Sequence, residues 1–428
     1  MNNIFEIYIK NVNFLKKSKA VFNMIKDNYL DINKIVKDKK IFRLFRAVEK
    51  HGGVLRFVGG AVRNALRGIE GSDIDLATDL NPDELVEACM EYGIKTVPIG
   101  IKFGTVGVII NGNVLEVTSL RKDIKSDGRH SDVVFTTDWD IDASRRDLTI
   151  NAVYADEKGN VFDYYNGISD LENGIVRFIG NPNIRIKEDY LRILRFFRFY
   201  ADFGIGDIDA KSLKACKDNC AGLKKLSGER IRDELSKILL SSQAHKVIKI
   251  MAENGILDNI LPEMKHFDNM EFIINLCNKH NLKPNWLRRL FICFNPDKIL
   301  AESLASRLKL SKKDKMLFVG WAENSLDLNQ LTCKKSLSAL IYQFGKDFCY
   351  NKLILEMAQQ NQDINNLSDL LDYIEKTEIP TFPLRGRDLI EQGIKENSNI
   401  GVILKRLEKE WIERGFILSR DELLKKAI

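Results

Sequence analysis

Short apolar runs bounded by glycine and polar residues occupy the N-terminal part of the chain, and a helical apolar period takes over after residue 160. The runs at 54–58, 73–77, 105–110, 114–119 and 151–155 have the length and β-branched content of strands. Asn111-Gly112 between two of them predicts a hairpin. Ile41, Leu44, Phe45 and Val48 recur at helical spacing and predict a helix over residues 41–50. Asn81 ahead of Pro82 predicts the capped start of another, over 82–92. Beyond Asn160, Leu191, Leu194, Phe197 and their neighbours predict one helix over residues 188–201. Helices then continue to the end, broken near Gly255, Pro262, Pro284, Pro296 and residues 380–383.

This layout is α+β. It predicts an N-terminal extension (1–40), a mixed α/β head (41–155), a helical neck (156–250), and a helical body and tail (251–428). A peripheral helix is expected within residues 1–30, which lack a signal-peptide core.

Length and charge change this picture little. With 428 residues the chain is long enough for several domains, and Lys+Arg exceeds Asp+Glu by 66 − 60 = 6. That balance permits a nucleic-acid partner without requiring one. The seven cysteines are scattered. Cys216 and Cys220 share a helix face, but no nearby histidine or second pair completes a zinc set. No apolar run approaches the roughly 18 residues of a membrane span. A cytoplasmic protein with reduced thiols and no membrane partner is expected.

Candidate chemistry concentrates in the head. Val58-Gly59-Gly60 ends a strand and opens a helix, so free N–H groups and a close-approaching backbone meet at one point. Asp73 and Asp75 lie two apart on the next apolar run, which on a strand puts both carboxylates on one face. Oxygen ligands so arranged suit Mg2+, which takes one or two carboxylates plus substrate phosphates. Alone, the glycine pair reads as a tight turn and the aspartates as a strand end; together they are the minimum apparatus for metal-assisted nucleotidyl transfer. Residues 121–130 are polar, charged and glycine-containing, and predict a mobile loop. Arg145-Arg146-Asp147 gathers charge at the entry of a strand, where a guanidinium can grip a triphosphate or ribose or simply form a surface ion pair.

The helix at 188–201 carries Arg192, Arg195 and Arg198 at three-residue steps, with Glu188 and Asp189 on the Arg192 face. The bland reading is i,i+4 ion pairing. The sharper one is a base reader. An aspartate accepts from the amine of cytosine N4 or adenine N6 while an arginine donates to the adjacent ring nitrogen; uracil and guanine present carbonyls there instead. Ser227 and the pair Arg230–Glu234 read as a cap and an i,i+4 brace.

The spacing from Gly59-Gly60 to Asp73-Ile74-Asp75 resembles the signature of polymerase-beta-type nucleotidyltransferases. Taken with residues 145–152, 163–171, Glu188-Asp189-x-x-Arg192 and 227–234, in that order, the chain resembles bacterial class II tRNA nucleotidyltransferases of the CCA-adding type. That family is shared with bacterial poly(A) polymerases. The resemblance implies a polymerase-beta-type head with a mixed sheet, then an all-helical neck, body and tail. It implies that Asp73 and Asp75 bind Mg2+ and activate the RNA 3′-hydroxyl. Gly59, Gly60 and Arg63 would contact the nucleotide's phosphates, and Arg146 and Asp147 its sugar–phosphate part. Asp189 and Arg192 would read the base, with Arg195 and Arg198 nearby. The implied partners are tRNA, CTP and ATP, with no DNA expected. Residues 122–130 resemble the family's flexible loop, associated with the switch from C to A addition, and the stretch from Pro383 to Trp411 resembles its tRNA-facing tail. Two positions depart: Asn64 stands where the family has aspartate, and Leu148 where phenylalanine is common. A poly(A) polymerase, a C-only or A-only enzyme, and a non-catalytic RNA-binding protein remain alternatives.

Overall fold

The computed structural model describes residues 29–69, 73–126, 131–394 and 400–427. The expected helix within residues 1–30 falls almost wholly outside them. In chain order the first unit contains α1 (Phe42–Lys50), β1 (Leu55–Val58), α2 (Gly60–Leu66), β2 (Asp75–Thr78), α3 (Pro82–Glu91), β3 (Lys95–Gly100), β4 (Thr105–Ile110), β5 (Asn113–Ser119), β6 (Arg121–Ser126), β7 (Ser131–Phe135), α4 (Trp139–Ser144), β8 (Val153–Ala155), β9 (Val161–Asp163), α5 (Gly167–Asn173), α6 (Pro182–Glu188), α7 (Leu191–Phe203), α8 (Ala210–Asn219) and α9 (Gly228–Leu240).

Seven strands form one sheet in the order β3-β4-β5-β2-β1-β8-β9. The β2–β5 pairing is parallel and the others are antiparallel, so the sheet is mixed as expected. Central β1 and β2 bury Leu55, Phe57, Val58, Leu76 and Ala77. Phe57 of β1 meets Phe45 of α1 with ring centroids 5.0 Å apart. Val58, Ala77, Ala143, Ala152 and Tyr154 form a buried cluster. Between β4 and β5, Asn111 and Gly112 both take positive φ (52° and 81°), which allows the predicted two-residue hairpin. Asn81 caps α3 in a reciprocal capping box with Glu84.

Three expectations change. Residues 121–126 were expected in an irregular loop; they form β6, paired with β7 as a two-stranded ribbon, because Val133, Val134 and Phe135 favour extended pairing. The remainder of that predicted loop, 127–130, lies outside the described residues. Helix 188–201 is two helices. Asp189 is extended (φ −154°, ψ 111°), ends α6, and accepts the Leu191 N–H that opens α7 at 3.0 Å. Its short carboxylate competes for backbone N–H groups, which is why aspartate favours helix ends. Finally, β2 begins at Asp75, so Asp73 lies ahead of the strand rather than in it.

The chain divides into two compact units: one runs to Ile238 and includes Ile250–Ile260, and the other comprises Leu239–Lys249 and Leu261–Ile428. The described part of the second unit contains helices and no strand. Phe291 packs edge-on against Phe318 and Trp321 in its core. Near the C-terminus Trp411, expected in a tRNA-facing tail, is itself buried in an apolar cluster with Leu389, Leu407 and Leu423. No helix among the described residues is long and apolar enough to cross a membrane.

Candidate active site

The site is built at one end of the central strands. Register places Glu116, Asp75, Val58 and Tyr154 side by side across β5, β2, β1 and β8. Gly59 follows Val58 with φ 64°, a conformation glycine adopts without strain, and turns the chain into α2. A Cβ at Gly59 would lie 3.6 Å from Arg146 Nη1, so glycine backbone and guanidinium are neighbours.

Asp75 is the electrostatic centre of this rim. Desolvation by the rim, then Glu116, and more weakly Asp73, raise its carboxyl above the ordinary value, against Arg146. A carboxylate whose ionisation is penalised by two acidic neighbours is donor chemistry that a divalent cation relieves. Among the described residues no three such groups are drawn into a closed metal cage. Glu116 was missed from sequence. It lies 41 positions after Asp75 in a run (Val114–Ser119) that announces only a strand, and nothing local marks it; the parallel register brings it in.

The predicted phosphate and sugar residues are largely engaged by the protein. Arg63 is buried; its Nη1 donates to Asn151 Oδ1, and its Nε and Nη2 donate to Asn64 Oδ1 at 3.1 and 2.9 Å. Its guanidinium lies over Phe199 and Phe203, 4.8 and 4.5 Å from the ring centroids. Burial, then the neighbouring Arg198, pulls its pKa down to about 10, against Asp147 and Asp202. Asn64 therefore does what an aspartate would do geometrically, offering one oxygen to two N–H groups, but without the charge. The Leu148 side chain is fully buried.

Arg145 and Arg146 converge on Asp142, which is 1% exposed. Arg145 Nη2 reaches Asp142 Oδ1 at 2.7 Å, Arg146 Nη2 reaches Oδ2 at 3.1 Å, and the Tyr154 hydroxyl donates to Oδ2 at 2.8 Å. Burial alone would raise Asp142, but these groups hold it down at about 2. Asp142 gave no sequence signal; its spacing of three and four residues to the two arginines becomes a signal once a helix is known to end there. Asp147 is also held at about 2: burial opposes ionisation, and Arg195, Asn151 and the Leu148 N–H overcome it. Its Oδ2 accepts from Arg195 Nε at 2.6 Å, which fastens α7 to the head.

Asp189 and Arg192 are not paired with each other. Asp189 Oδ2 accepts from Arg230 Nη2 on α9 at 2.7 Å, whereas Arg192 holds Glu188 and donates to the carbonyls of Arg185 and Arg145 at 2.9 and 3.3 Å. Arg198 pairs with Glu234 at 2.9 Å. The two residues of the expected Arg230–Glu234 brace also tie α9 to Asp189 and to Arg198 of α7. The Glu188–Arg192 pair is formed as predicted.

Residues 55–177 match the family described as "Poly A polymerase head domain", and residues 207–268 match "Probable RNA and SrmB- binding site of polymerase A". The chain is 36% identical over 393 residues to "CCA tRNA nucleotidyltransferase 1, mitochondrial" of Mus musculus, covering 90% of this chain and 88% of that one. It is 28% identical to the CCA-adding enzyme of Ligilactobacillus salivarius, covering 91% and 96%. Its fold matches the crystal structure of the Bacillus stearothermophilus CCA-adding enzyme in complex with CTP, with a TM-score of 0.76 at 21% identity over 91% of this chain and 96% of that one. The chain belongs to the CCA tRNA nucleotidyltransferase family, whose head it shares with poly(A) polymerases, and is a nucleotidyltransferase.

Proposed function

We propose that this protein adds or repairs the 3′-terminal CCA of tRNA from CTP and ATP, with its own side chains in place of a nucleic-acid template. The observation that carries the reading is the open carboxylate rim of Asp73, Asp75 and Glu116 beside Gly59 and Arg146, in the same unit as Asp189 and Arg192.

Mg2+ fits the rim: Asp73 and Asp75, with Glu116 beside them, would hold it, and it would supply charge neutralisation at the phosphates. Gly59 and Gly60 offer close backbone approach to the nucleotide's phosphates. Arg146, kept cationic by Asp142 and Tyr154 despite burial, faces the same corner. Arg63, Asp147, Arg195 and Arg198 act mainly by fixing α2, the 145–151 turn and α7 around the nucleotide. The RNA 3′-oxygen forms its bond to the α-phosphorus as the α–β anhydride bond breaks and pyrophosphate leaves. Asp189 accepts from the exocyclic amine of C or A, and Arg192 donates to the ring nitrogen beside it; a carbonyl of U or G facing Asp189 would be repelled. Arg230 sets the direction of the Asp189 carboxylate. The expected domain limits at residues 40, 155 and 250 belong to this reading, with the later helices as the tRNA-binding part, and so does a cytoplasmic location.

The poly(A) polymerase descriptions of both matched families favour a second reading, open-ended A addition. Asp73→Ala tests the catalytic assignment common to both. Nucleotide incorporation should fall to background while tRNA binding, followed by filter retention, stays measurable. Surviving incorporation would remove Asp73 from the chemistry.

A further inference from the structure

The helical unit contains a cavity of about 700 Å³ for which the catalytic reading has no use. Lys283, Asn285, Arg288, Lys346, Asp347 and Glu375 are among the residues that line it. Two helices, Trp286–Phe294 and Lys346–Gln359, begin at its wall, so the N–H groups of two first turns are gathered there. Asn285 caps the first by accepting the Arg288 N–H at 3.0 Å; no side chain caps the second.

Arg288 is the second, independent feature. It is 3% exposed. Its Nη2 donates to the Lys283 carbonyl at 2.7 Å, while Nη1 is buried with no hydrogen-bond partner. A desolvated guanidinium N–H without an acceptor costs free energy that an arriving anion recovers. The charges around it are not neutralised from within. Lys346 Nζ is held by the Glu375 carbonyl at 2.8 Å rather than by a carboxylate. Asp347 is paired with Lys313 at 3.1 Å. Against three cations the wall sets the Glu375 carboxylate and the Asp347 carboxylate, the latter shared with Lys313.

We propose that this cavity is a phosphate-binding site, which takes a phosphate mono- or diester through Arg288, Lys283, Lys346 and the two helix N-termini. A planar guanidinium at the wall with flanking ammonium groups suits a multiply oxygenated, strongly charged anion. Free phosphate and the backbone of an RNA present the same chemistry to it. The site stands on the helical unit alone and is independent of the assignment of the carboxylate rim.

Hydrogen–deuterium exchange on the full chain tests it. Inorganic phosphate, at ionic strength matched with chloride, should slow exchange in the first turns of Trp286–Phe294 and Lys346–Gln359. The double variant Lys283→Ala/Lys346→Ala should need roughly tenfold more phosphate for the same protection, the loss expected for charge-assisted contacts. Lys283 is exposed and Lys346 half-buried, so the fold should survive, which circular dichroism checks. A tRNA transcript lacking CCA forms the second arm. Protection by RNA alone, lost in the double variant, identifies the phosphate as a backbone one, and the salt slope of binding then falls by about one per lost contact. The idea is overturned if neither phosphate nor RNA protects these turns, or if the double variant is protected as well as the parent.

Discussion

At the rim of the head sheet, Asp73, Asp75 and Glu116 stand near one another with Arg146 as the neighbouring cation. Along the 142–147 segment, in contrast, Asp142 and Asp147 each hold guanidiniums at 2.6–3.1 Å. Desolvation pushes Asp75, Asp142 and Asp147 toward protonation, yet Asp75 is raised while Asp142 and Asp147 are held at about 2. The difference is the counter-ion. Asp142 and Asp147 are hydrogen-bonded to their guanidiniums, whereas Arg146 acts on Asp75 through charge alone. Charge at the rim is poised for an incoming cation and substrate; charge in the cluster holds the helices in place. This separation explains why some predicted nucleotide-binding residues prove to be deeply engaged struts.

Removing one rim carboxylate should separate activity from stability most sharply. Asp75→Asn should lower incorporation by about a thousandfold or more, because several kcal/mol of charge stabilisation is lost. Thermal unfolding should stay the same or rise, since a repulsion goes too; a large fall in Tm would show that Asp75 is a strut as well. Asp142→Asn should do the reverse. Two half-buried guanidiniums lose the charge of their buried carboxylate, which costs about 2–3 kcal/mol in denaturant unfolding.

Acid should act on the two regions differently. The folded pKa values of Asp142 and Asp147 lie below the unfolded value of 3.8. Their stabilisation is thus complete above about pH 4 and is lost as pH falls toward 2, on the order of 2 kcal/mol for each group. Asp75 is shifted upward in the metal-free rim, so protons compete with the divalent cation there, and the Mg2+ concentration needed for incorporation should rise as pH falls while unfolding has not started. A Mg2+ requirement that rises only as the protein unfolds would merge the two regions into one.

Smaller effects probe the base reader and the departure at position 64. Arg230→Ala frees Asp189 and should relax discrimination of CTP over UTP by roughly tenfold, the worth of one charge-assisted bond, with little change in Tm. Asn64→Asp keeps the acceptor for Arg63 and adds a charge, so stability should rise by less than about 1 kcal/mol and incorporation should be retained. A large loss of activity would give Asn64 a role beyond holding Arg63.

Sequence pattern disclosed the parts of this structure that depend on neighbours in the chain. The Asn111-Gly112 turn, the Asn81 cap and the central strands were all legible, since turn and cap chemistry is local. So were the glycine pair and Asp75. What depended on register or helix packing was not. Glu116 needs the β2–β5 pairing, and the Arg230–Asp189 and Arg198–Glu234 bonds need α9 against the neck. The break at Asp189 escaped because the apolar period runs through it. Asn64 looked like a loss at the phosphate cradle until its oxygen was seen between two Arg63 donors.

Transcripts of tRNA ending before CCA, after C and after CC, each given CTP, ATP or both, test the central claim most directly. A CCA-adding enzyme inserts only the missing C, C and A residues, then stops after A. Open-ended A tails, or incorporation indifferent to the base offered, would contradict that claim.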